Sequence, residues 1–258
     1  MNMMQMVGIM VALYVIALTA LCIYRRAINI KIANGLFIAV DLIFYVAWTY
    51  ASYLRGWTKG FMMLDNISPF IMTMIPVSLF LGERLRQYVK CATAFLWVGM
   101  LVALVISPQQ AYILSDYTNA TPEYTTEAAC HLIASLYGVY LIISGQVKCD
   151  FRSWKRALIC LYSAIGFGVI ANYLFHSDNF GMDPYGDYSI YMIDIFGSFW
   201  ATFAAYILGV LLVVTIGMQL GHLLTRLISL YNTDDYKESE PISESEKKEE
   251  LVSSIDQA

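Results

Sequence analysis

Leu64-Asp65-Asn66-Ile67-Ser68-Pro69-Phe70 places a carboxylate, an amide and a hydroxyl directly before an apolar segment that continues to Leu81. Asn and Ser favour the start of a helix and Pro fits its first turn, so the stretch predicts that a helix begins here. We interpret this helix as a membrane crossing. Ionisable groups at membrane depth are costly and usually face a bundle interior or a polar cavity. What Asp65 faces therefore decides the functional interpretation.

The rest of the chain is strongly apolar. Hydrophobic residues make up 59% of its 258 residues, against roughly 45 to 50% in a soluble domain. A hydrocarbon core of ~30 Å needs about 20 helical residues, and seven apolar runs approach that length. These runs are Met3 to Tyr24, Ala33 to Leu54, Met62 to Leu81, Tyr88 to Ile106, Ala128 to Val147, Trp154 to Phe175 and about Phe199 to Leu220. The sequence predicts an all-α polytopic membrane protein, a bundle of seven transmembrane helices.

The cationic residues predict its orientation. With the N-terminus outside, fourteen Lys and Arg fall in inner segments and only Arg55 and Lys59 in outer ones. Cytoplasmic segments of membrane proteins carry the excess of Lys and Arg. We expect the N-terminus outside, the C-terminus in the cytoplasm, and the protein in the plasma (cell inner) membrane.

The end of the chain differs in composition from the rest. From Tyr231 onward nine acidic residues and three Lys give a net charge of −6, so the remainder carries +2. Few apolar residues in a charged segment predict disorder. We expect a transmembrane domain over residues 1–231 and a disordered acidic cytoplasmic tail over 232–258. The tail is a candidate docking segment for a cytoplasmic partner, and nothing in the charge pattern indicates nucleic acid.

The cysteines carry no recognisable motif. Five are present, none in a CxxC pair. An odd number without metal-ligand spacing argues against a disulfide framework and against a zinc site. We expect packing roles for them, and neither a metal nor a cofactor.

Six polar residues from distant parts of the sequence share one predicted membrane level, near the outer leaflet. They are Asp65, Asn66, His131, Asn172, His176 and Asp194. The polar loops at residues 109–126 and 177–188 lie on the same side and hold acidic residues but no Lys or Arg. The predicted outer mouth is therefore acidic.

Two interpretations of this layer stay open. In the first it lines a cavity in which Asp65 and His131 act as a catalytic acid and base, because a His beside a carboxylate can be tuned across neutral pH. Asn66, Asn172, His176 and Asp194 then bind the substrate. In the second the same groups form interhelical hydrogen bonds of about 0.6 to 2 kcal/mol each, and Asp65 only caps a helix.

Asp41 is a separate polar residue about eight positions into the second apolar run, or ~12 Å along a helix. At that depth a carboxylate is either paired or functional. We favour pairing with a polar partner.

A set of short motifs resembles the YwaF family of bacterial integral membrane proteins. That family is related to a eukaryotic membrane protein family with reported phospholipid acyltransferase activity. The resemblance covers about residues 30 to 222. It consists of Leu64-Asp65-Asn66-Ile67-Ser68, Gly99 through Ile106-Ser107-Pro108, His131, Arg152-Ser153-Trp154-Lys155, Asn172-Tyr173-Leu174 and Asp194.

The resemblance implies a membrane helix bundle and acyl-transfer chemistry. This chain departs from the family pattern at one pair of positions. The family pattern has a His-x-Cys pair at the start of the third helix, and that cysteine is the nucleophile proposed for the eukaryotic relatives. Met63 and Asp65 occupy those positions here. Neither forms a stable thioester-like intermediate, so the resemblance supports the fold more than the activity.

The leading hypothesis is a lipid-associated membrane protein whose outer-leaflet cavity binds a phospholipid or acyl chain, with phospholipid acyl transfer as its candidate reaction. Membrane lipid is then its partner. The alternative is a non-enzymatic receptor or transport component that binds a cation or cationic ligand at the acidic outer mouth. The sequence leaves open whether the protein is an enzyme.

Overall fold

The computed structural model describes residues 2–54, 66–105, 120–175, 193 and 195–237, with side chains to residue 230. The chain divides into two compact units, Met1–His222 and Leu223–Ala258. The description below concerns the first unit. The predicted boundary between transmembrane domain and tail, at residues 231 and 232, stays a prediction.

The described residues are helical and contain no strand, which confirms the all-α prediction. The helices are α1 (Met3–Tyr24), α2 (Ile30–Leu54), α3 (Ile67–Val77), α4 (Glu83–Phe95), α5 (Trp97–Val105), α6 (Pro122–Ile143), α7 (Phe151–Phe175) and α8 (Phe199–Lys237). A 3₁₀ turn, Ser78–Phe80, continues α3.

Five of these helices, α1, α2, α6, α7 and α8, are long and apolar enough to cross a membrane. The pair α4 and α5 makes a sixth candidate that bends by 47° at their junction. The apolar segment Ile67–Phe80 is shorter than a full crossing, and residues 62–65 of that predicted span lie outside the described part. Five or six candidate spans are compatible with a multi-pass membrane protein, and the seventh stays a prediction.

Local capping explains where several helices begin. Thr121 accepts the N–H of Tyr124 and Pro122 occupies the first turn, so α6 begins six residues before the apolar run at Ala128. The side chain of Asp150 accepts the N–H of Ser153 at 2.7 Å, which starts α7 ahead of its apolar run. Hydropathy therefore locates the spans but misses the polar first turns.

Helix α6 is the centre of the packing. In its most apolar stretch 78% of residues are buried, against 17% in α1 and in α2. It packs against α1, α2 and α4. By contrast, large apolar side chains such as Leu13, Ile16 and Ile43 are exposed on α1 and α2. An apolar exterior of this kind is suited to lipid.

Glycines bring the helices unusually close at the α4–α5 junction. A Cβ added at Gly138 of α6 would lie 2.6 Å from the carbonyl oxygen of Thr93, and one at Gly217 of α8 would overlap the carbonyl oxygen of Phe95. Small residues allow helix backbones to approach in membrane proteins. The indole of Trp97 donates to the carbonyl oxygen of Gly217 at 3.2 Å across the same contact. The bend is thus held by neighbours on two sides.

Candidate functional site

His131 lies three residues after Ala128, where the buried part of α6 begins, and is only 4% exposed. Its Nδ1 is 3.0 Å from the carbonyl oxygen of Glu127, one turn earlier. A carbonyl can only accept, so Nδ1 carries the hydrogen in this contact. In the neutral ring Nε2 is then the acceptor, which is the state required of a general base.

The bond to Glu127 also limits the predicted pairing with Asp65. Because Nδ1 is occupied, a carboxylate could meet this ring only at Nε2. The backbone carbonyl of Glu127 already fixes the tautomer, a task that a carboxylate often performs in catalytic sites. Asp65 itself lies outside the described residues, so its pairing with His131 stays a prediction.

Asn66 is the N-cap of α3. Its Oδ1 accepts the N–H of Ile67 at 2.7 Å, and the residue is exposed. This is the helix-capping arrangement that the opening stretch predicts. No hydrogen bond within the described residues joins Asn66 to His131.

Asn172 lies in the last turn of α7 and is 8% exposed. Burial of an amide at this position is compatible both with a lining role and with an interhelical hydrogen bond. His176 and Asp194 fall outside the described residues. The structure therefore places Asn66, His131 and Asn172 on three different helices, and their assignment to a substrate site stays a prediction.

A serine one turn beyond His131 links three helices. The hydroxyl of Ser135 donates to the carbonyl oxygen of Trp97 at 2.8 Å and lies 3.1 Å from the hydroxyl of Tyr14. A serine has one hydroxyl hydrogen, so the phenol of Tyr14 donates to Ser135. These bonds link α1 and α5 to α6 one helical turn after His131.

Asp41 differs from the prediction of a paired carboxylate. It is 0% exposed, and neither Oδ1 nor Oδ2 has a hydrogen-bond partner within the described residues. The prediction that it pairs with a polar partner is therefore wrong for this part of the chain. The sequence singled out Asp41 because it lies midway along an apolar helix. It could not show that the carboxyl oxygens lack a partner, because that depends on which faces of α2 and α6 meet.

A polar cluster that the sequence did not reveal joins α2, α4 and the turn after α6. Asn34 and Gln146 exchange two amide hydrogen bonds of 2.8 and 3.1 Å. The ammonium of Lys90 donates to Gln146 Oε1 at 3.1 Å, and Gln146 Nε2 donates to the hydroxyl of Ser144 at 3.0 Å. Gly145 has a φ of 74°, which an L side chain rarely adopts. No sequence pattern links residues 112 positions apart in this way.

Metal binding has no support among the described residues, where no three His, Cys, Asp or Glu side chains are grouped so that they could hold an ion. Outside the predicted spans, the N–H of Ser153 holds the pKa of Asp150 below its ordinary value, with smaller contributions from Lys148 and Arg156. Asp150 is therefore a capping carboxylate.

The long apolar helices, with their exposed apolar faces, are compatible with a multi-pass helical membrane protein. No protein-family description, no curated protein and no solved structure matches the chain. The resemblance to the YwaF family stays a prediction.

Proposed function

We propose that the chain is a seven-span protein of the plasma (cell inner) membrane, with its N-terminus outside and its tail in the cytoplasm. The distribution of Lys and Arg supports the orientation, because fourteen of sixteen then lie on the inner side. The proposal takes the five long apolar helices and the bent pair α4–α5 as six spans and adds the shorter α3 as the seventh. An odd number places the two termini on opposite sides.

We further propose that the protein binds a phospholipid or acyl chain at the outer leaflet and that acyl transfer is the associated reaction. The observation that carries this proposal is His131, a buried imidazole whose Nδ1 is engaged by Glu127 and whose Nε2 is the acceptor. A base held in one tautomer within an apolar bundle is suited to activate a hydroxyl. Asn172, buried on α7, supplies an amide that can orient a head group.

The reaction can be written with this chain's groups. The hydroxyl oxygen of a lysophospholipid attacks the carbonyl carbon of an acyl donor, and Nε2 of His131 accepts the hydroxyl proton. A new ester bond forms, the bond to the donor's leaving group breaks, and the imidazolium returns the proton to that group. Asp65 is the proposed second acid or base. This route needs no cysteine nucleophile.

The experiment is mass spectrometry of the purified protein in a native lipid extract after incubation with a labelled lysophospholipid and an acyl donor. Transfer of the label between lipids is expected in the wild type and is expected to be lost in His131→Gln and in Asp65→Ala. Losing a general base typically costs about 10²- to 10⁴-fold in rate. His222→Gln is the matched control, because it makes the same change at an exposed histidine of α8 that belongs to no proposed site.

Three outcomes are informative. Transfer that survives His131→Gln removes the histidine from the mechanism. A lipid that stays bound to the wild type without any transfer leaves lipid binding and removes the reaction. If no lipid class is retained, the lipid proposal fails and the receptor or transport alternative becomes the working hypothesis.

A further inference from the structure

Asp41 is a buried ionisable group of α2 without a hydrogen-bond partner among the described residues. It lies eleven residues from the start of the 25-residue helix α2 and is 0% exposed. Both of its oxygens lack a hydrogen-bond partner within the described residues. Since α2 is a candidate membrane span, this carboxyl lies where neither water nor lipid head groups would satisfy it.

Its surroundings on α2 are aromatic. Phe37, Tyr45 and Trp48 stand one turn before, one turn after and two turns after it, so all three share its helix face. The ring of Phe37 packs 5.3 Å from that of Tyr137 and 5.4 Å from that of Tyr140, on α6. The carboxyl is therefore enclosed at the α2–α6 interface by large apolar surfaces.

In the part of the chain that the structure describes, the titratable groups that interact with Asp41 are phenols and a thiol. Those in electrostatic contact with it are Tyr45 on its own helix and Cys130 and Tyr137 on α6. Helix α3 contacts this group of residues through Thr73, whose hydroxyl hydrogen-bonds the hydroxyl of Tyr45 at 2.8 Å. Within the described residues no Lys, Arg or His forms an ion pair with Asp41.

One cation that interacts with this group of residues, Arg86, is already engaged. Arg86 on α4 acts electrostatically on Tyr137, but its guanidinium donates to the carbonyl oxygens of Ser78 and Leu81 at 3.0 Å and contacts Glu83 at 3.4 Å. It is therefore not available as a counter-ion for Asp41.

The same interface holds a second unsatisfied group, the hydroxyl of Tyr140, which is buried and has no hydrogen-bond partner in the part of the chain described. Native proteins satisfy the great majority of buried polar atoms, and exceptions often mark functional positions. An isolated carboxylate is much more costly to bury than a neutral carboxylic acid. The neutral acid is thus the form that this enclosure accommodates.

We propose that Asp41 is a proton-binding site inside the membrane bundle, held neutral at the α2–α6 interface while the helices are packed as described. Its ligand is a proton, and release of that proton requires α2 and α6 to separate enough to admit water or a hydroxyl donor. The proposal does not depend on the proposed lipid chemistry. The proton-binding site makes the α2–α6 contact sensitive to proton exchange.

The deciding experiment is infrared spectroscopy of the full chain in lipid vesicles between pH about 6 and pH about 9, a range in which exposed Asp and Glu are ionised. The wild type is expected to show the carbonyl-stretch band of a protonated carboxyl at neutral pH. The band should be lost in Asp41→Asn and unchanged in the exposed control Asp150→Asn. Asp41→Glu, which keeps the carboxyl, should shift the band and covers the case in which Asp41→Asn fails to fold.

A second readout is labelling with dicyclohexylcarbodiimide and peptide mass spectrometry. The protonated carboxyl adds across one N=C bond, its oxygen bonding to carbon and its proton going to nitrogen, and the acyl group then shifts to nitrogen without a leaving group. One adduct is expected on the peptide that contains Asp41, with a yield that falls as the pH rises. The proposal would be overturned if the wild type and Asp41→Asn showed the same carbonyl-stretch band. An adduct on Asp150 in place of Asp41 would also overturn it.

Discussion

Single side chains in this protein act mostly by closing helix ends and by linking helices. Asp150 is an example of the first, because its Oδ1 accepts the N–H of Ser153 in the opening turn of α7. Gln146 is an example of the second, because its amide contacts both α2 and α4. His131 resembles neither, since its one described bond lies within α6 and leaves Nε2 for other contacts.

Replacement of Asp150 by Ala should lower the free energy of unfolding by about 1 kcal/mol, the usual value of an N-cap side chain. The cap lowers the pKa of Asp150 in the folded state. Because the unfolded value is about 3.9, the contribution is present at neutral pH and is lost as the pH falls through the folded pKa. Measuring the free energy of unfolding of the wild type and of Asp150→Ala in detergent micelles from neutral to acid pH tests this contribution of the cap.

Asp150→Asn is the matched control, because the amide oxygen still accepts the N–H of Ser153. It should keep most of the stability but lose the acid dependence that Asp150 contributes. Equal stability of Asp150→Ala and the wild type would show that the cap has no energetic role.

Replacement of Gln146 by Ala should destabilise the first unit by about 1 to 3 kcal/mol, because Asn34 and Lys90 each lose a partner. Gln87→Ala is the control, since the hydrogen bond of Gln87 to Glu83 at 3.0 Å stays within α4. Thermal unfolding of both variants in the same detergent gives the comparison. A Gln146 variant as stable as the Gln87 variant would contradict a linking role for the cluster.

Close backbone contacts at two glycines help to position the helices of the first unit. The α4–α5 bend coincides with the contacts of Gly138 and Gly217. A side chain at either position would have to enter space that a carbonyl group already fills. The glycines are therefore requirements of packing between elements, although each lies within a regular helix.

Gly217→Ala should destabilise the packing of α8 against α4 by about 1 to 3 kcal/mol or more, because its Cβ would meet the carbonyl oxygen of Phe95. Gly209→Ala, in the same helix, has nothing within 4 Å of the added Cβ. It should be neutral or stabilising by up to about 1 kcal/mol, the difference in helix propensity. Unfolding of the two variants by heat in one detergent compares them directly. Equal stability of Gly217→Ala and Gly209→Ala would show that the contact of Gly217 with Phe95 does not contribute to stability.

At the scale of the whole chain, the orientation in the membrane is predicted from the charge distribution, and α6 is the helix around which the first unit packs. Pro122 and Lys148 are exposed and lie just inside and just beyond the two ends of the central helix. With the N-terminus outside, Pro122 belongs to the outer side and Lys148 to the inner side. These positions offer a direct test of orientation.

In a variant with the five native cysteines replaced, Pro122→Cys should react with a membrane-impermeant maleimide in intact cells. Lys148→Cys should react only after permeabilisation. The reverse pattern would invert the orientation, and reaction of both in intact cells would show that α6 does not cross the membrane. Reaction of both after permeabilisation is the control for accessibility.

The sequence alone determined that this protein is helical and apolar enough for a membrane, because hydropathy and charge bias are sums over neighbouring residues. It also indicated the cap at Asn66, since capping depends on a few consecutive positions. It did not separate α4 from α5, and it placed the start of α6 too late.

Only the tertiary structure decided that Asp41 is enclosed without a hydrogen-bonding partner in the described chain, that Asn34 meets Gln146, and that Gly217 lies against Phe95. Each of these depends on which faces of distant helices come together. That choice is made by packing over the whole unit, in which one small residue sets the distance between two backbones, and no local pattern in the sequence encodes it.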